Sequence, residues 1–116
     1  MKKIIIYRAF DGEDFFEEKN CREYEADALN CMKEIFDKVQ LFDEFMGLLL
    51  APEEDDVDKY MDVFDAAYDE ASYMYIIERP SEVAIDFILG YMGRTLPDGV
   101  GAFKYDGHDD KWKAAE

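Results

Sequence analysis

Between Ser81 and Gly93 the chain reads Glu-Val-Ala-Ile-Asp-Phe-Ile-Leu-Gly-Tyr-Met. Ser81 is a residue type that caps helix starts, and Gly93 one that ends helices. The spacing predicts a helix over 82–92. In it Val83, Ala84, Ile85, Phe87, Ile88, Leu89, Tyr91 and Met92 leave little polar surface. A helix that is apolar nearly all round must be covered on two sides, by the rest of this chain or by a second copy.

The remaining segments supply the cover. Tyr73-Met74-Tyr75-Ile76-Ile77, aromatic and β-branched and stopped at Pro80, reads as a central strand. Within Lys2 to Ala9, the run Ile4-Ile5-Ile6-Tyr7 closes at the turn signal Asp11-Gly12 and reads as a first strand buried on both faces. From Asp14 to about Lys38, Cys21, Tyr24, Ala28, Cys31 and Ile35 recur at spacings of three and four, a helix with both thiols inward. Val39-Gln40-Leu41-Phe42 and the apolar stretch to Pro52 fit a second strand bent at Gly47, or a continuation of that helix. Glu53 to Ser72 is amphipathic, with Val57, Met61, Phe64 and Tyr68 on one side, joined by Tyr60, Ala67 and Ala71. Pro97-Asp98-Gly99 and Asp106-Gly107 are turns around a short strand, Gly101 to Tyr105, with Trp112 beyond. Helices alternating with strands over 116 residues, without repeat or linker, imply one domain over 1–116. The expected fold is an α/β or α+β sandwich, a mixed sheet of three or four strands packed by three helices.

Charge narrows the function. There are 13 Lys+Arg against 29 Asp+Glu, a net −16, beside 49% hydrophobic residues, so the chain has a core and is no disordered acidic tail. Such a field disfavours direct binding to nucleic acid or to an anionic membrane. No apolar run spans a bilayer, and Arg8 and Asp11 break the N-terminal run, so a soluble, cytoplasmic protein is expected. Cys21 and Cys31, ten apart, fit free thiols in a reducing compartment.

The motifs of catalysis are missing. His108, the single histidine, lies among turn residues, and Ser72 and Ser81 sit at helix ends. No phosphate-binding glycine loop or nucleophile elbow occurs. A Cys31 thiolate among carboxylates is disfavoured. Glu53-Glu54-Asp55-Asp56-Val57-Asp58 lacks the glycine and terminal glutamate of a calcium loop and instead suits the positive end of a helix dipole. Asp106, Asp109 and Asp110 have nothing to complete a coordination shell. The expectation is no enzyme, no metal and no cofactor.

What is present is a row of carboxylates. Asp55, Asp58, Asp62, Asp65 and Asp69 recur at three, four, three, four, which at about 100° per residue places them on one stripe opposite the apolar face. Neighbouring like charges there cost a few tenths of a kcal/mol each, and Lys59 is the sole base between Glu53 and Glu78. Glu54 flanks the row, and Glu23, Asp27 and Glu34 add a looser acidic side on the first helix. Carboxylates a few ångströms apart resemble backbone phosphates and can occupy a cationic groove built for DNA or RNA.

Phe10-Asp11-Gly12-Glu13-Asp14-Phe15, then Cys21 and Tyr24-Glu25, form the pattern F-D-G-x-x-F-x5-C-x2-Y-E. It resembles the opening of a group of small phage and prophage proteins that begin with a strand, an F-D-G turn and a Cys/Tyr-bearing helix. The run Leu96 to Asp106, with Trp112, is similar to their proline, glycine and aromatic ending. Glu17 stands where that pattern has a Ser or Thr cap, and Asp14 with Glu17 can replace it as a capping box. The resemblance implies a shared scaffold without an active site. By analogy it also implies a counter-defence inhibitor, of anti-CRISPR or anti-restriction type, that mimics nucleic acid. The expected partner is a nucleic-acid-binding defence protein, a CRISPR effector or a restriction enzyme, met by Asp55, Asp58, Asp62, Asp65, Asp69, Glu54, Glu23, Asp27 and Glu34. The alternative is an adaptor or assembly protein that dimerises or binds a partner through Phe87, Ile88 and Tyr91 of the third helix, acidic only for solubility.

Overall fold

The computed structural model describes residues 3–115. A two-residue hairpin opens the chain, β1 (Tyr7–Arg8) paired antiparallel with β2 (Asp14–Phe15), and leads into α1 (Glu18–Lys38). Then follow β3 (Val39–Phe42), α2 (Val57–Glu70), β4 (Tyr73–Ile76), α3 (Glu82–Met92), β5 (Gly101–Asp106) and β6 (Lys111–Ala114). The four-stranded sheet has the order β3-β4-β5-β6, so β4 is central, as its aromatic and β-branched run predicts. The architecture is α+β, helices packed with a sheet.

The first strand is a correction. Ile4, Ile5 and Ile6 are exposed at 73, 57 and 52%, lie outside any strand, and never enter the main sheet; Lys2 lies outside the described residues. Only Tyr7 and Arg8 pair, because the Asp11-Gly12 turn folds them back on Asp14 and Phe15, with Gly12 at φ 88°. With that strand outside, every ladder of the sheet is antiparallel rather than mixed. The helix expected from Asp14 begins at Glu18, since Asp14 is held in the hairpin by Arg8 at 2.8 Å and Glu17 occupies the cap position with no side-chain cap bond. The segment left open at 39–52 is a strand and a tight return: Leu48 N–H donates to the Leu41 carbonyl at 2.8 Å, and Phe42 bridges Gly47. β6, unforeseen, is a four-residue Lys-Trp-Lys-Ala run that the β5 turn returns to the sheet edge.

Strand alternation sets one sheet face inward. Val39, Leu41, Met74, Ile76 and Phe103 are buried, while Gln40, Tyr73, Tyr75, Ala102 and Lys104 face solvent. Onto the inner face α1 contributes Met32 and Ile35, α2 contributes Tyr60, Phe64 and Ala67, and α3 contributes Ala84 and Ile88. No polar or charged residue is buried among the described residues. The molecule measures 66 × 25 × 25 Å, with a radius of gyration of 16.6 Å against about 13 Å for a compact chain of roughly this length. Its core is thin, and each large buried side chain carries a correspondingly large share of the stability.

Phe64, with no exposed surface, lies in a core cluster built from the sheet and all three helices. Phe64→Ala is expected to cost about 3–5 kcal/mol in urea denaturation followed by circular dichroism. Val83→Ala, at a position 69% exposed on α3, should change stability by less than about 0.5 kcal/mol.

Candidate functional site

Two parts of this chain lie against α3, although only Ala84 and Ile88 of the helix are buried. Ala84 and Ile88 face the core, while Phe87 and Tyr91 meet Phe10 of the F-D-G turn at ring separations of 6.1 and 5.4 Å. Asp11 pins this contact by accepting hydrogen bonds from the hydroxyls of Tyr24 and Tyr91. Burial pushes the Asp11 carboxyl up, but those two hydroxyls and the Glu13 N–H outweigh it and hold the group below its ordinary value. The F-D-G-x-x-F…C-x2-Y motif is thus a clasp: Phe10 stacks on Tyr24, Phe15 packs against it with its ring tilted, and Asp11 ties α1 to α3. Val83, Leu89 and Tyr91 remain partly exposed as the apolar surface left on α3.

Glu34 serves the opposite end of α3. Its carboxylate accepts from the Ser81 backbone N–H and from the Ser81 hydroxyl at 3.1 Å, and that hydroxyl in turn accepts the Ala84 N–H. The Ser81 N–H donation holds Glu34 below its ordinary 4.5, against desolvation, with help from the Ser81 hydroxyl and Lys38. Placed among the acidic candidates by spacing, Glu34 instead sets the register of α3 on α1.

The acidic row proper begins later than the spacing suggests. Asp56 caps α2, its side chain accepting from the Asp58 N–H at 3.0 Å, so Asp55 precedes the helix and pairs with Lys33 of α1 at 2.9 Å. Asp58, Asp62, Asp65 and Asp69 do lie on the outer side, away from the buried Val57, Tyr60, Phe64 and Ala67. Their surroundings differ. Arg94, placed just past Gly93 by the bond from its N–H to the Ile88 carbonyl, reaches Asp65 at 3.1 Å and Asp69 at 2.6 Å and lies 4.8 Å from the Tyr68 ring centroid. Asp58 and Asp62 make no ion pair among the described residues, nor does Asp27 of α1, whereas Glu23 pairs loosely with Lys19 and Glu54 pairs with Lys59.

A groove of about 590 Å³ runs between α1 and the start of α2, lined by Arg22, Glu25, Leu29, Glu54, Asp55 and Asp58. Glu25 and Arg94 are the residues that spacing missed. Glu25 is on the motif helix but shares a groove with Asp58 only through helix packing, and Arg94 lies outside the Glu53–Glu78 window. A second cleft, of about 580 Å³, is lined by Arg94, Tyr68, Tyr105 and Trp112. There the Tyr68 hydroxyl donates to the Thr95 carbonyl and accepts from the Trp112 indole, so these polar groups are mutually satisfied.

The two thiols are held toward their neutral form. Burial, then Glu25, pushes the Cys21 thiol up, and burial, then Glu34 and Asp27, pushes up that of half-buried Cys31. His108 is exposed in the β5–β6 turn, where its N–H donates to Asp106. No group of three or more His, Cys, Asp or Glu among the described residues is arranged to hold a metal ion, and no helix there is long and apolar enough to cross a membrane. Comparison with family models, curated proteins and solved structures gives no match.

The Glu34 clamp has a pH signature. Its carboxylate contribution is complete above the ordinary value of 4.5 and is lost as pH falls through the lowered folded-state value, because the protonated group no longer accepts both bonds. Denaturation midpoints of the wild type should therefore fall more steeply between about pH 5 and pH 3 than those of Glu34→Gln. Ser81→Ala should cost about 1 kcal/mol at neutral pH.

Proposed function

We propose that the protein is a non-enzymatic binding protein that offers the N-terminal half of α2 and the facing turns of α1 to a cationic nucleic-acid groove. The observation that carries this reading is the pair Asp58 and Asp62, one turn apart on the solvent side of α2 and in no ion pair among the described residues. Next to them lies a groove to which Glu25, Glu54 and Asp55 add carboxylates. A helix selected only to fold would intersperse bases along such a row. Leaving it bare costs stability, and gains an anionic surface with near-phosphate spacing that steers a basic partner.

Asp65 and Asp69, held by Arg94, form the structured end of the surface. Asp55, Glu54 and Glu23 are ion-paired but exposed, and exchange their lysines for a partner's bases at little cost. Asp27 extends the row onto α1. The partner fitting this surface is a nucleic-acid-binding protein of a host defence system, a CRISPR effector or a restriction enzyme, and the action is inhibition by occupying its groove. The resemblance of the Phe10–Glu25 motif to phage proteins supports that choice.

The test is a pull-down with tagged protein from lysate of a defence-carrying bacterium, at low and moderate salt, with a DNA-competition lane. The expected result is a nucleic-acid-binding complex released by salt and by DNA. Asp58→Lys/Asp62→Lys should weaken its binding by about a hundredfold while the circular dichroism spectrum is unchanged. Undiminished binding by this folded variant, or a partner indifferent to salt and DNA, would overturn the reading, and a concentration-dependent dimer broken by Leu89→Glu would favour the adaptor role of α3.

A further inference from the structure

The return between β3 and Gly47 carries side chains that nothing in the fold uses. Phe45 is 91% exposed and Met46 61%, the former the most exposed large hydrophobic side chain among the described residues. Exposure of this kind is ordinary on a mobile loop, but this turn is tightly made. Asp43 Oδ1 accepts the N–H of Phe45 at 2.8 Å and that of Met46 at 2.7 Å, and the Asp43 N–H donates to the Met46 carbonyl at 3.0 Å. Below it the Leu48 N–H closes on the Leu41 carbonyl at 2.8 Å, and the Phe42 ring lies 3.7 Å from where a Cβ on Gly47 would be. The Ser72 N–H donates to the Phe42 carbonyl at 2.9 Å, which fixes the base of the turn at the C-terminal end of α2.

An Asx-type turn that spends one carboxylate on two backbone donors to hold a phenylalanine in water gains the fold no buried area. In a binding partner the same geometry is valuable, because a side chain already fixed in its bound position loses little freedom on docking. Aromatic residues inserted into a desolvated pocket are the usual energetic centres of interfaces. Glu44 stands beside Phe45 and makes no ion pair among the described residues, and Glu70 lies two residues before Ser72.

We infer that the Glu44-Phe45-Met46 turn is a preformed anchor that inserts Phe45 into an apolar pocket edged by Lys or Arg, on the same partner whose groove receives the α2 carboxylates. The inference rests on the reading proposed above. It assigns the two surfaces different tasks: the carboxylates govern encounter and salt dependence, and Phe45 governs residence.

The experiment replaces Phe45, and separately Asp62, with photoreactive p-benzoylphenylalanine in the full chain, expressed in a defence-carrying bacterium. Adducts are mapped by mass spectrometry, and the protein they identify is then purified as the binding probe. The expected result is one protein crosslinked from both positions, with the position-45 adduct in an apolar pocket bordered by bases. On that purified protein, Phe45→Ala should raise the dissociation rate by about tenfold or more, leave the salt dependence of association unchanged, and leave the melting temperature unchanged. Asp43→Ala should weaken binding in the same way, and Asp43→Asn, which keeps the acceptor oxygen, should restore it. Crosslinking from position 62 alone, or wild-type kinetics for Phe45→Ala, would overturn the anchor and leave the acidic surface standing. No adduct from either position would overturn both, and a position-45 adduct to a second copy or to a different protein would overturn the anchor as assigned.

Discussion

The seating of α3 is the constraint on which the other contacts depend. Its sequence is apolar over most of its surface, with Glu82 and Asp86 left to water, so one side must meet the sheet-facing core and another gains from a lid. Ala84 and Ile88 meet the first need. The second is met by the turn at Phe10, Asp11 and Gly12, which the β1–β2 hairpin folds back onto Phe87 and Tyr91. Glu34 then fixes where the helix begins and Gly93 where it ends. With both ends and two faces assigned, α1 and α3 form one rigid pair.

That pair determines the electrostatics of the surface. Because α3 ends at Gly93, Arg94 falls over Tyr68 and between Asp65 and Asp69. Because α1 packs on α2, Lys33 meets Asp55, and Glu25 and Asp58 share a groove. A row that is uniform in sequence is therefore divided into a braced end beside Arg94 and a bare end around Asp58 and Asp62. Desolvation works against the charge on Arg94, and its hydrogen bonds to the two aspartates more than restore it.

The F-D-G motif acquires a physical meaning in this arrangement. Phe10 and Phe15 supply rings for Tyr24, Asp11 accepts from two tyrosines, and Gly12 takes the positive φ that the turn needs. The motif is a folding device that attaches an apolar helix to the N-terminal turn, and the surfaces proposed for recognition lie elsewhere, on α2 and at the turn bearing Phe45.

Local pattern carried a good part of this structure. The limits of α3, its cap at Ser81, the buried positions of α2, the central place of β4 and the α+β class all follow from periodicities and end signals that act over a few residues. The errors have one origin. Ile4-Ile5-Ile6 has strand composition, yet a strand exists only where a neighbouring edge accepts its hydrogen bonds, and the Asp11-Gly12 turn supplies just two residues of partner. Likewise the outward direction of Asp58 and Asp62 is set by helical spacing. That Asp65 and Asp69 share a guanidinium, that Glu34 braces Ser81, and that Asp43 holds Phe45 in water are products of tertiary packing or loop closure, which no spacing in one segment encodes. Sequence by itself determined which faces are apolar and which are charged, because side-chain direction follows from backbone period. Only the tertiary structure decided which charges are neutralised and which apolar groups are covered, because those depend on what the other segments bring within a few ångströms.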